Sequence, residues 1–599
     1  MTTELDLSQT ASDLADDLSD ATSEDLSIVL GRWLGSFESA LASASPEAVA
    51  ELFAENGWWR DMLAFTWDLR SFSGRSAIAD AVVRWPKGRK LTSFRLAPDI
   101  VPQLGQSESG AVTIESMIGF ESPAGPGRGV VRLVNDGGVW RSWTLLTALQ
   151  ELNGHEESLT NWRSLAEPHY TNVQVGRVPW AANRASHAEF VDTDLPVLIV
   201  GAGQAGLTLS ARLQRMGVRS LVIDRTDRLG NSWRNRYSNL QLHDTYWNNQ
   251  LPYMPFPDTW PILSPKDKIA DWLESYANHL DIPVWLGSEI TAASYDPVGK
   301  EWTVQITRKG GDTRTLRPRH LVMATGMQNS PATPDLAGRD DFGGEVYHSA
   351  TFPGGPRFAG RTAVVVGSGN SAHDVAQDLY EQGADTTMIQ RSSTWVMSTS
   401  EGLPLLNAGY GPDDSVEDAD LWGASIPFPL SVRMSPGLAA HIATLDKELL
   451  DGLRSIGFRL NDEGPGRGVT KAGGFYFDQG ASQLLIEKKV ALVAGDVVGF
   501  TQNGVVLRDG TELAADLVVL ATGYLNMRDG IRELLGDEVA DRCKPIWGLD
   551  EERGEIGSLW SDSGYPGLWT HGGNMAMSRT YSKYLALRLA AEEFGLSSS

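Results

Sequence analysis

Cysteine is almost absent from this chain, since Cys543 is the only one among 599 residues. A single cysteine forms no disulfide within a chain, a pattern typical of proteins from a reducing cytoplasm. It also excludes redox chemistry that passes through a pair of thiols. We therefore expect a cytoplasmic protein that does not use a thiol–disulfide couple.

Basic residues are scarce relative to acidic ones, with 51 Lys and Arg against 76 Asp and Glu and a net charge of −25. Such a surface repels the phosphate backbone of nucleic acids, and no basic stripe interrupts it. The sequence also lacks an apolar run long enough to span a bilayer, and its N-terminus does not resemble a signal peptide. We expect neither a nucleic-acid partner nor a membrane span.

The length of the chain predicts roughly three or four domains. Residues 1–24 are predicted to be a disordered tail, because acidic residues are frequent there and Lys and Arg are absent. Residues 25–150 are predicted to form an α+β domain, in which helices precede a run of strands. The predicted elements are helices over Leu26–Ala42, Pro46–Ala54 and Ser76–Val83, and strands that include Ala111–Ile118 and Gly129–Val134.

The order of elements in residues 25–150, with the segment Gly57–Asp61 between helix and strand, resembles the NTF2-like (SnoaL-like) cone. Some cones of this kind carry a catalytic aspartate, which makes Asp61 a candidate base. The alternative is a surface salt bridge between Asp61 and Arg60. Residues 151–194 lack sustained periodicity and are predicted to be a linker, with Trp162 and Trp180 packed on a neighbouring surface.

The stretch Leu195–Asp224 has the pattern of a dinucleotide-binding unit. An apolar strand leads into Gly201-x-Gly203-x-x-Gly206 and a helix, and a second apolar strand ends on Asp224. The three glycines allow a tight turn, close approach of a pyrophosphate and close packing of helix on strand. The helix N-terminus offers free N–H groups to the phosphates, and the acid is placed to hold ribose hydroxyls.

A second unit of the same kind begins at Thr362–Val366 and continues through Gly367-x-Gly369-x-x-Ala372 into a helix. Its second strand, predicted over Thr386–Gln390, ends on an amide where the first unit has a carboxylate, and Arg391 follows. An acid there would repel a 2′-phosphate, whereas a guanidinium pairs with one. We therefore expect FAD in the first unit and NADPH in the second, with NADH possible.

Two further motifs lie around the second unit. Phe342-x-Gly344-xxx-His348-xxx-Phe352 precedes it, and the stretch Asp516–Tyr524 follows it with the pattern DxxxLATGY. Together with the two glycine turns, they resemble the fingerprint of class B flavoprotein monooxygenases of the flavin-containing monooxygenase family. The extra N-terminal domain resembles the long, type II members of that family.

The resemblance implies an α/β fold with two Rossmann-like domains after the N-terminal α+β domain. The expected boundaries are 195–340 for the first part of the FAD domain, 341–509 for the NADPH domain, and 510–599 for the second part of the FAD domain. Within the NADPH domain, Trp395–Gly474 interrupts the pattern as an insertion with one amphipathic helix, Ala440–Ile456.

The family's chemistry implies an FAD-dependent NAD(P)H:oxygen monooxygenase that uses a C4a-(hydro)peroxyflavin to insert one oxygen atom into a small organic substrate. The expected reactions are Baeyer–Villiger oxidation of ketones, sulfoxidation, or both. Alternatives are an N-hydroxylating or decarboxylating flavin monooxygenase, and an NADPH oxidase or electron-transfer reductase. The expected partners are O2 and a ketone, sulfide or amine, and we expect a homodimer. A redox-sensing protein whose cone domain is the working part is a third class.

The resemblance also implies site residues. His243 stands where the family has an asparagine that supports the oxygenated flavin, which favours ketones over amines, and His348 belongs to the linker fingerprint. Both are candidate catalytic residues, although each histidine has a purely structural alternative. The expected cofactor-binding residues are Gly201, Gly203, Gly206, Asp224, Arg225, Ser232, Trp233, Leu242, His243, Ala324, Thr325, Gly326, Gly367, Ser368, Gly369, Asn370, Ser371, Arg391, Ala521, Thr522 and Gly523. Lys471 is a candidate for the substrate pocket, with a solvated loop lysine as the alternative.

Overall fold

The computed structural model describes residues 22–86, 90–157, 175–191 and 194–596. Most of the predicted acidic tail, and Trp162 in the predicted linker, lie outside these residues. The described residues form an N-terminal α+β domain followed by two sheets of parallel strands with helices. The predicted α/β class with two Rossmann-like units is confirmed.

In its described residues, the N-terminal domain has three α-helices and one mixed sheet. In chain order it contains α1 (Ser23–Ala42), α2 (Pro46–Glu51), β1 (Phe53–Met62), β2 (Leu69–Ser73), α3 (Gly74–Arg84), β3 (Thr92–Leu96), β4 (Gln103–Gln106), β5 (Val112–Glu121), β6 (Pro126–Asp136) and β7 (Val139–Leu149). The sheet order is β2-β1-β7-β6-β5-β3, with β4 on β5. The similarity to NTF2-like cones stays a prediction.

Strand β1 corrects two sequence predictions. The second helix ends at Glu51 rather than Ala54, because the chain enters β1 at Phe53. The segment Gly57–Asp61 lies inside β1 rather than between a helix and a strand. Bulky aromatic residues at strand positions explain this outcome, since they pack well on a pleated surface.

Neighbouring side chains of β1 point to opposite faces of the sheet, as strand geometry requires. Trp59 packs inward among aromatic rings, including Phe37 and Phe53. Arg60 points outward and is paired with Glu555, far along the chain. The predicted surface salt bridge between Arg60 and Asp61 is therefore wrong, because both side chains are buried and they face different surroundings.

The described part of the linker contains α4 (Trp180–Ala188). Trp180 is 57% exposed, and the guanidinium of Arg184 lies over its ring at 5.4 Å. The prediction that Trp180 packs on a neighbouring surface is therefore wrong.

The first Rossmann-like unit follows the linker. Its elements are β8 (Val197–Val200), α5 (Gln204–Arg215), β9 (Ser220–Asp224), α6 (Asn231–Arg234), β10 (Gln241–Thr245), β11 (Leu263–Pro265), α7 (Lys266–His279), β12 (Val284–Leu286), β13 (Ser288–Asp296), β14 (Glu301–Arg308), β15 (Thr313–Leu316) and β16 (His320–Met323). Short 3-10 turns at Arg339–Asp341, Ser349–Thr351 and Gly355–Phe358 surround the start of the second unit.

The second unit contains the helical insertion. Its elements are β17 (Glu345–His348), β18 (Thr362–Val366), α8 (Asn370–Glu381), β19 (Asp385–Gln390), β20 (Trp395–Ser398), α9 (Gly402–Leu406), α10 (Val416–Ala424), α11 (Phe428–Leu445), α12 (Lys447–Ser455), α13 (Gly466–Lys471), β21 (Phe475–Asp478), α14 (Ala481–Ile486), β22 (Ala491–Ala494), β23 (Val497–Thr501), β24 (Gly504–Leu507), β25 (Glu512–Ala514) and β26 (Leu517–Leu520). The single helix predicted over Ala440–Ile456 is wrong, since the insertion has several helices and this stretch divides at Asp446.

The chain closes with α15 (Met527–Leu535), α16 (Asp537–Arg542), β27 (Leu549–Asp550), β28 (Glu555–Ile556), β29 (Leu568–Thr570) and α17 (Met575–Glu593). The first parallel sheet has the order β12-β9-β8-β16-β29, and the second has the order β17-β26-β18-β19-β22. The strand Leu517–Leu520 therefore lies in the second sheet, although the predicted boundary at residue 509 assigned it to the FAD domain.

Candidate functional site

The first glycine turn joins β8 to α5 at the carboxyl edge of the first sheet. Gly201 has a φ of +113°, and a Cβ there would lie 2.4 Å from the carbonyl oxygen of Ala324. A Cβ at Gly206 would lie 2.0 Å from the carbonyl oxygen of Gly201. At Gly203, by contrast, no described atom lies within 4 Å of the added Cβ. Two glycines thus serve the protein's own packing, and the third leaves space for a ligand.

Helix α5 begins at this space without a capping side chain. Its N-cap residue is Gly203, and no side-chain hydrogen bond caps the helix. The first N–H groups of such a helix have no partner inside the helix and attract anions. The turn therefore fits the pyrophosphate of a dinucleotide.

A segment near the end of the chain lies beside the first glycine turn and the start of α5. We call these three parts together the flavin cradle, after the predicted ligand. Gly572 and Gly573 follow β29, and Asn574 caps α17 by accepting a hydrogen bond from the backbone of Met577. Gln204 donates to the carbonyl oxygen of Gly573 at 3.4 Å. We call Gly572–Asn574 the C-terminal turn. It lies beside the start of α5, and it is absent from the site residues predicted from the sequence.

The predicted flavin-side residues take different places around the cradle. Trp233 donates its indole N–H to the side-chain oxygen of Gln204 at 3.2 Å. The carboxylate of Asp224 accepts hydrogen bonds from the backbone N–H of Ala202 at 2.7 Å and from that of Thr226 at 2.8 Å. Asp224 therefore shapes the turn, and its contact with a ribose stays a prediction. Three predicted flavin-side residues remain. Arg225 follows β9 and donates a hydrogen bond to Asn329. Ser232 in α6 is exposed, and Leu242 in β10 is half-buried.

The second glycine turn repeats the geometry of the first. Gly367 has a φ of +136°, and a Cβ there would lie 2.5 Å from the carbonyl oxygen of Ala521. Helix α8 also begins after a glycine N-cap, Gly369, without a capping side chain. Ser368 is hydrogen-bonded to Thr394 at 2.7 Å, so its hydroxyl already has a partner. Of the other predicted contacts, Asn370 is the first residue of α8 and accepts a hydrogen bond from the backbone of Phe477, and Ser371 is the second residue of α8.

Two Ala-Thr-Gly segments follow the strands that neighbour the two glycine-turn strands, β8 and β18. The first, Ala324–Gly326, follows β16, and the second, Ala521–Gly523, follows β26. Thr522 donates its hydroxyl to the carbonyl oxygen of Ala332 at 2.6 Å, and the backbone N–H of Ala332 donates to Gly523 at 2.9 Å. These bonds connect the first dinucleotide unit to the second.

Arg391 lines a cavity of about 350 Å³ at the carboxyl ends of β19 and β22. Arg459 from the insertion and Arg508 line the same cavity, together with Asp496 and Asp509. Arg508 is held by Asp496 at 2.7 Å. Arg391 has no ion pair with any residue in the described part of the chain, which leaves its guanidinium available for a phosphate.

Gln390 explains how Arg459 reaches this cavity. The Gln390 side chain is fully buried and accepts a hydrogen bond from the backbone N–H of Arg459 at 2.8 Å. Its amide group also donates to the carbonyl oxygen of Arg459 at 3.0 Å. The amide that replaces the acid of the first unit thus brings a second guanidinium to the cavity. Sequence reasoning missed Arg459, because nothing local marks a contact across this distance in the chain.

His243 lies at the junction of the two units. Gln479, which follows β21, donates to Nδ1 of His243 at 3.3 Å. Nε2 of His243 lies 3.6 Å from the carboxylate of Asp374 in α8, and that carboxylate accepts the hydroxyl of Tyr237 at 2.7 Å. Because Nδ1 accepts, the proton of the neutral ring is on Nε2. Strand β10 of the first unit and helix α8 of the second therefore hold one imidazole between them.

His348 has a different environment at the end of β17. Its Nε2 donates to the carbonyl oxygen of Gly523 at 3.0 Å, and its Nδ1 accepts from the backbone N–H of Ala350 at 3.1 Å. Burial lowers the pKa of His348, which favours the neutral ring. With both nitrogens bonded, His348 joins β17 to the segment after β26.

The remaining two candidate residues are Lys471 and Asp61. Lys471 ends α13, is exposed and pairs with Glu463 at 3.3 Å, as the alternative of a solvated lysine predicts. Asp61 is fully buried and accepts hydrogen bonds from the backbone N–H groups of Phe65 and Thr66 and from the hydroxyl of Thr147. Burial raises the pKa of Asp61 to about 6, and its hydrogen bonds oppose that shift.

The model of the family described as "Pyridine nucleotide-disulphide oxidoreductase" matches residues 198–404. A probable indole-3-pyruvate monooxygenase of Arabidopsis thaliana, YUCCA3, is 32% identical over 55% of this chain and 72% of its own length. The chain belongs to the flavin-containing monooxygenases. An indole-3-pyruvate monooxygenase of Oryza sativa subsp. japonica, YUCCA1, is also 32% identical, over 55% of this chain and 76% of its own length. The monooxygenase described here is therefore an enzyme that binds FAD and NADPH and uses O2 and a small-molecule substrate.

Solved structures agree with the fold of a flavin-containing monooxygenase. An open crystal structure of cyclohexanone monooxygenase matches 67% of this chain and 88% of its own, with a TM-score of 0.50 and 18% identity. Oxidised steroid monooxygenase bound to NADP matches 67% of this chain and 84% of its own, with a TM-score of 0.50 and 19% identity.

Two further features concern the thiol chemistry of Cys543 and the question of a membrane span. Cys543 is buried, and its thiol donates to the carbonyl oxygen of Val539. Burial raises the pKa of this thiol, which disfavours the reactive thiolate. Across residues 22–86, 90–157, 175–191 and 194–596, none of the helices combines the length and apolar character that crossing a bilayer requires.

Proposed function

We propose that this monooxygenase inserts one oxygen atom next to the carbonyl group of a ketone, and that His243 controls the proton on which that reaction depends. When bound, reduced FAD supplies the activated oxygen. The chain itself holds His243 between strand β10 of the first dinucleotide unit and helix α8 of the second. The position of this imidazole between the two units is the observation that carries the proposal.

The Nε2–H group of His243 supports this role because its environment fixes the tautomer. Gln479 occupies Nδ1, and Asp374 faces Nε2. An imidazole held in this way offers a proton donor of defined direction at the boundary of the two cofactor sites. Attack on a carbonyl carbon needs the deprotonated oxidant, whereas oxygen transfer to a sulfide needs the protonated one. An N–H group that donates a hydrogen bond to the anion and keeps its own proton stabilises the form that attacks the carbonyl.

The names of similar proteins support a carbonyl substrate. The curated relatives above are called indole-3-pyruvate monooxygenases, and indole-3-pyruvate is a 2-oxo acid that contains a ketone. Oxygen insertion next to its carbonyl group releases the carboxylate as CO2. A decarboxylating reaction on a 2-oxo acid is therefore the second candidate function, and it uses the same attack on a carbonyl carbon.

A substrate panel tests the proposal. The enzyme with FAD and NADPH is offered cyclohexanone, thioanisole, a tertiary amine and indole-3-pyruvate, and the products are identified by mass spectrometry. We expect an ester or lactone from the ketone, or CO2 release from the 2-oxo acid, to exceed oxide formation from the amine. Oxidation of the amine alone would contradict the proposal.

His243→Asn tests the part given to the histidine. Asparagine is the residue that the family resemblance implies at this position, and its amide keeps a hydrogen-bond donor without an acid–base group. We expect this variant to lose carbonyl oxygenation relative to sulfide oxygenation. An unchanged ratio of the two products would leave His243 without a role in the choice of reaction.

We further propose that Arg391 and Arg459 bind the 2′-phosphate of NADPH. The cavity that they line offers two guanidinium groups, and phosphate prefers such groups.

His348 is proposed to maintain the connection between the two units, since both its nitrogens are bonded to backbone groups. A homodimer stays a prediction, which the mass of the holoenzyme in solution tests.

A further inference from the structure

One set of contacts between the N-terminal domain and the first dinucleotide unit runs along the long helix α17. Arg60, Asp68 and Gln150 of the N-terminal domain reach three residues of this helix. Arg60 donates to the hydroxyl of Tyr581 at 2.9 Å, Gln150 accepts from Lys583 at 2.6 Å, and Asp68 pairs with Arg588 at 3.1 Å. Helix α17 begins at the C-terminal turn, which lies beside the first glycine turn.

Arg60 is the most deeply buried of these contacts. Its side chain is 1% exposed, and its guanidinium makes a bidentate pair with Glu555 at 2.9 and 2.6 Å. It also donates to the carbonyl oxygen of Ala424 in the helical insertion at 2.7 Å. One side chain of β1 therefore connects the N-terminal domain, the insertion and the first dinucleotide unit.

The contact continues from Arg60 to the flavin cradle in two steps. The ring of Tyr581 stacks on the ring of Trp560, with centroids 3.8 Å apart and planes inclined by 7°. The indole N–H of Trp560 donates to the carbonyl oxygen of Gly572 at 2.9 Å. Gly572 is the first residue of the C-terminal turn, so each step from Arg60 to that turn is a direct contact.

Trp560 has a backbone conformation that requires support. Its φ is +62°, a region that bulky residues rarely adopt. Such strain persists where the surrounding structure holds the residue in place. The backbone N–H of Trp560 donates to Thr570 at 2.8 Å, and the stacked Tyr581 covers the ring.

From these contacts we propose that the N-terminal domain positions the flavin-binding C-terminal turn, with Arg60 acting through Tyr581 and Trp560. Arg60 is a positioning residue in this arrangement, since it lies away from the turn itself. This gives the extra domain a function in flavin binding that requires no ligand of its own. The inference rests on FAD binding and is independent of which substrate is oxidised.

Three conservative variants test the steps one at a time. Tyr581→Phe removes the hydroxyl and keeps the stacked ring. Trp560→Phe removes the N–H group that holds Gly572. Arg60→Lys keeps the charge beside Glu555 but loses the fork of donors. Arg128→Met is the matched control, because Arg128 forms a partly exposed ion pair from the N-terminal domain to Asp418 in the helical insertion.

The measurements are the rate of FAD release from the holoenzyme and hydrogen exchange of the amides in residues 572–577. We expect each of the three variants to release FAD about three- to tenfold faster, the effect of one lost hydrogen bond. Exchange at the turn should rise with it, and the visible spectrum of the flavin should change. Arg128→Met should stay within a factor of two of the wild type.

Two results would overturn the proposal. Unchanged FAD release in Tyr581→Phe and Arg60→Lys would show that the N-terminal domain does not act on the turn, whatever Trp560→Phe does. Equal loss of FAD in Arg128→Met would show a general effect of domain contacts. If Arg60→Lys fails to fold, Tyr581→Phe decides, because it leaves the buried ion pair intact.

Discussion

Replacement of Arg391 by alanine should reduce the preference of the enzyme for NADPH over NADH. The guanidinium lines the cavity after β19 and is exposed. A hydrogen bond to a charged group contributes about 1.5–3 kcal/mol, and exposure places Arg391 at the lower end of this range. A loss of about 1.5 kcal/mol corresponds to roughly a tenfold rise in the KM for NADPH.

Arg459 extends this prediction. It lines the same cavity, held there by the buried Gln390, so Arg459→Ala should also raise the KM for NADPH several-fold. The KM for NADH should change less than twofold in both variants, because NADH lacks the 2′-phosphate. A matched control is Arg454→Ala, which removes an exposed arginine of the same insertion that pairs with Asp451.

The assay is steady-state oxidation of NADPH and of NADH by each variant at constant ionic strength, followed by absorbance at 340 nm. Constant salt matters because ions screen exposed charges. Equal changes in both KM values would refute the assignment of Arg391 and Arg459 to the phosphate. A similar rise for Arg454→Ala would indicate that only the net charge of the surface matters.

Three more predictions test other parts of the molecule. Gly203→Asp should fold, as circular dichroism will show, because a Cβ at this position meets no described atom, and its absorbance should be that of colourless protein. Gly369→Asp should stay yellow but resist reduction by NADPH. Full flavin content in Gly203→Asp would contradict the assignment of the first turn. The pKa of buried Asp61 is raised to about 6 from 3.8, so the contribution of this group to the free energy of unfolding should be greatest below pH 3.8 and be lost, by about 3 kcal/mol, as pH rises through 6. Urea unfolding across this range should show a free energy of unfolding that depends less on pH in Asp61→Asn than in the wild type, and identical pH profiles would refute the prediction. His243→Ala should release more hydrogen peroxide per NADPH oxidised, and unchanged coupling would make His243 structural.

The two dinucleotide units were predictable because their signals are local. Gly201, Gly206 and Gly367 are required by the backbone itself, since a Cβ at each would collide with a carbonyl oxygen. Such requirements hold whatever the rest of the chain does. The strand Thr362–Val366 was also predicted to the residue, because short apolar runs between turn signals are typical of buried parallel strands.

Contacts across long distances in the chain were not predictable. Arg60 pairs with Glu555, and Gln390 holds Arg459, yet neither sequence segment marks its partner. The boundary at residue 509 was misplaced for the same reason. Leu517–Leu520 reads as an apolar strand that fits either sheet, and only pairing with Thr362–Val366 assigns it to the second.

The C-terminal turn has a local sequence signal, but none of the motifs used above includes it. Two glycines before Asn574 and a helical pattern are typical of a helix start, and the helix begins at Met575. Its place beside the first glycine turn depends on the order of strands β8, β16 and β29, which the sequence alone leaves open.

The central claim is that electrons from NADPH pass through one flavin to O2 and that one oxygen atom enters a carbonyl substrate. Turnover of cyclohexanone and of indole-3-pyruvate under 18O2 tests it most directly. We predict one labelled oxygen atom in each molecule of product, with consumption of one NADPH. Recovery of all the label as hydrogen peroxide, with both substrates unchanged, would contradict the claim.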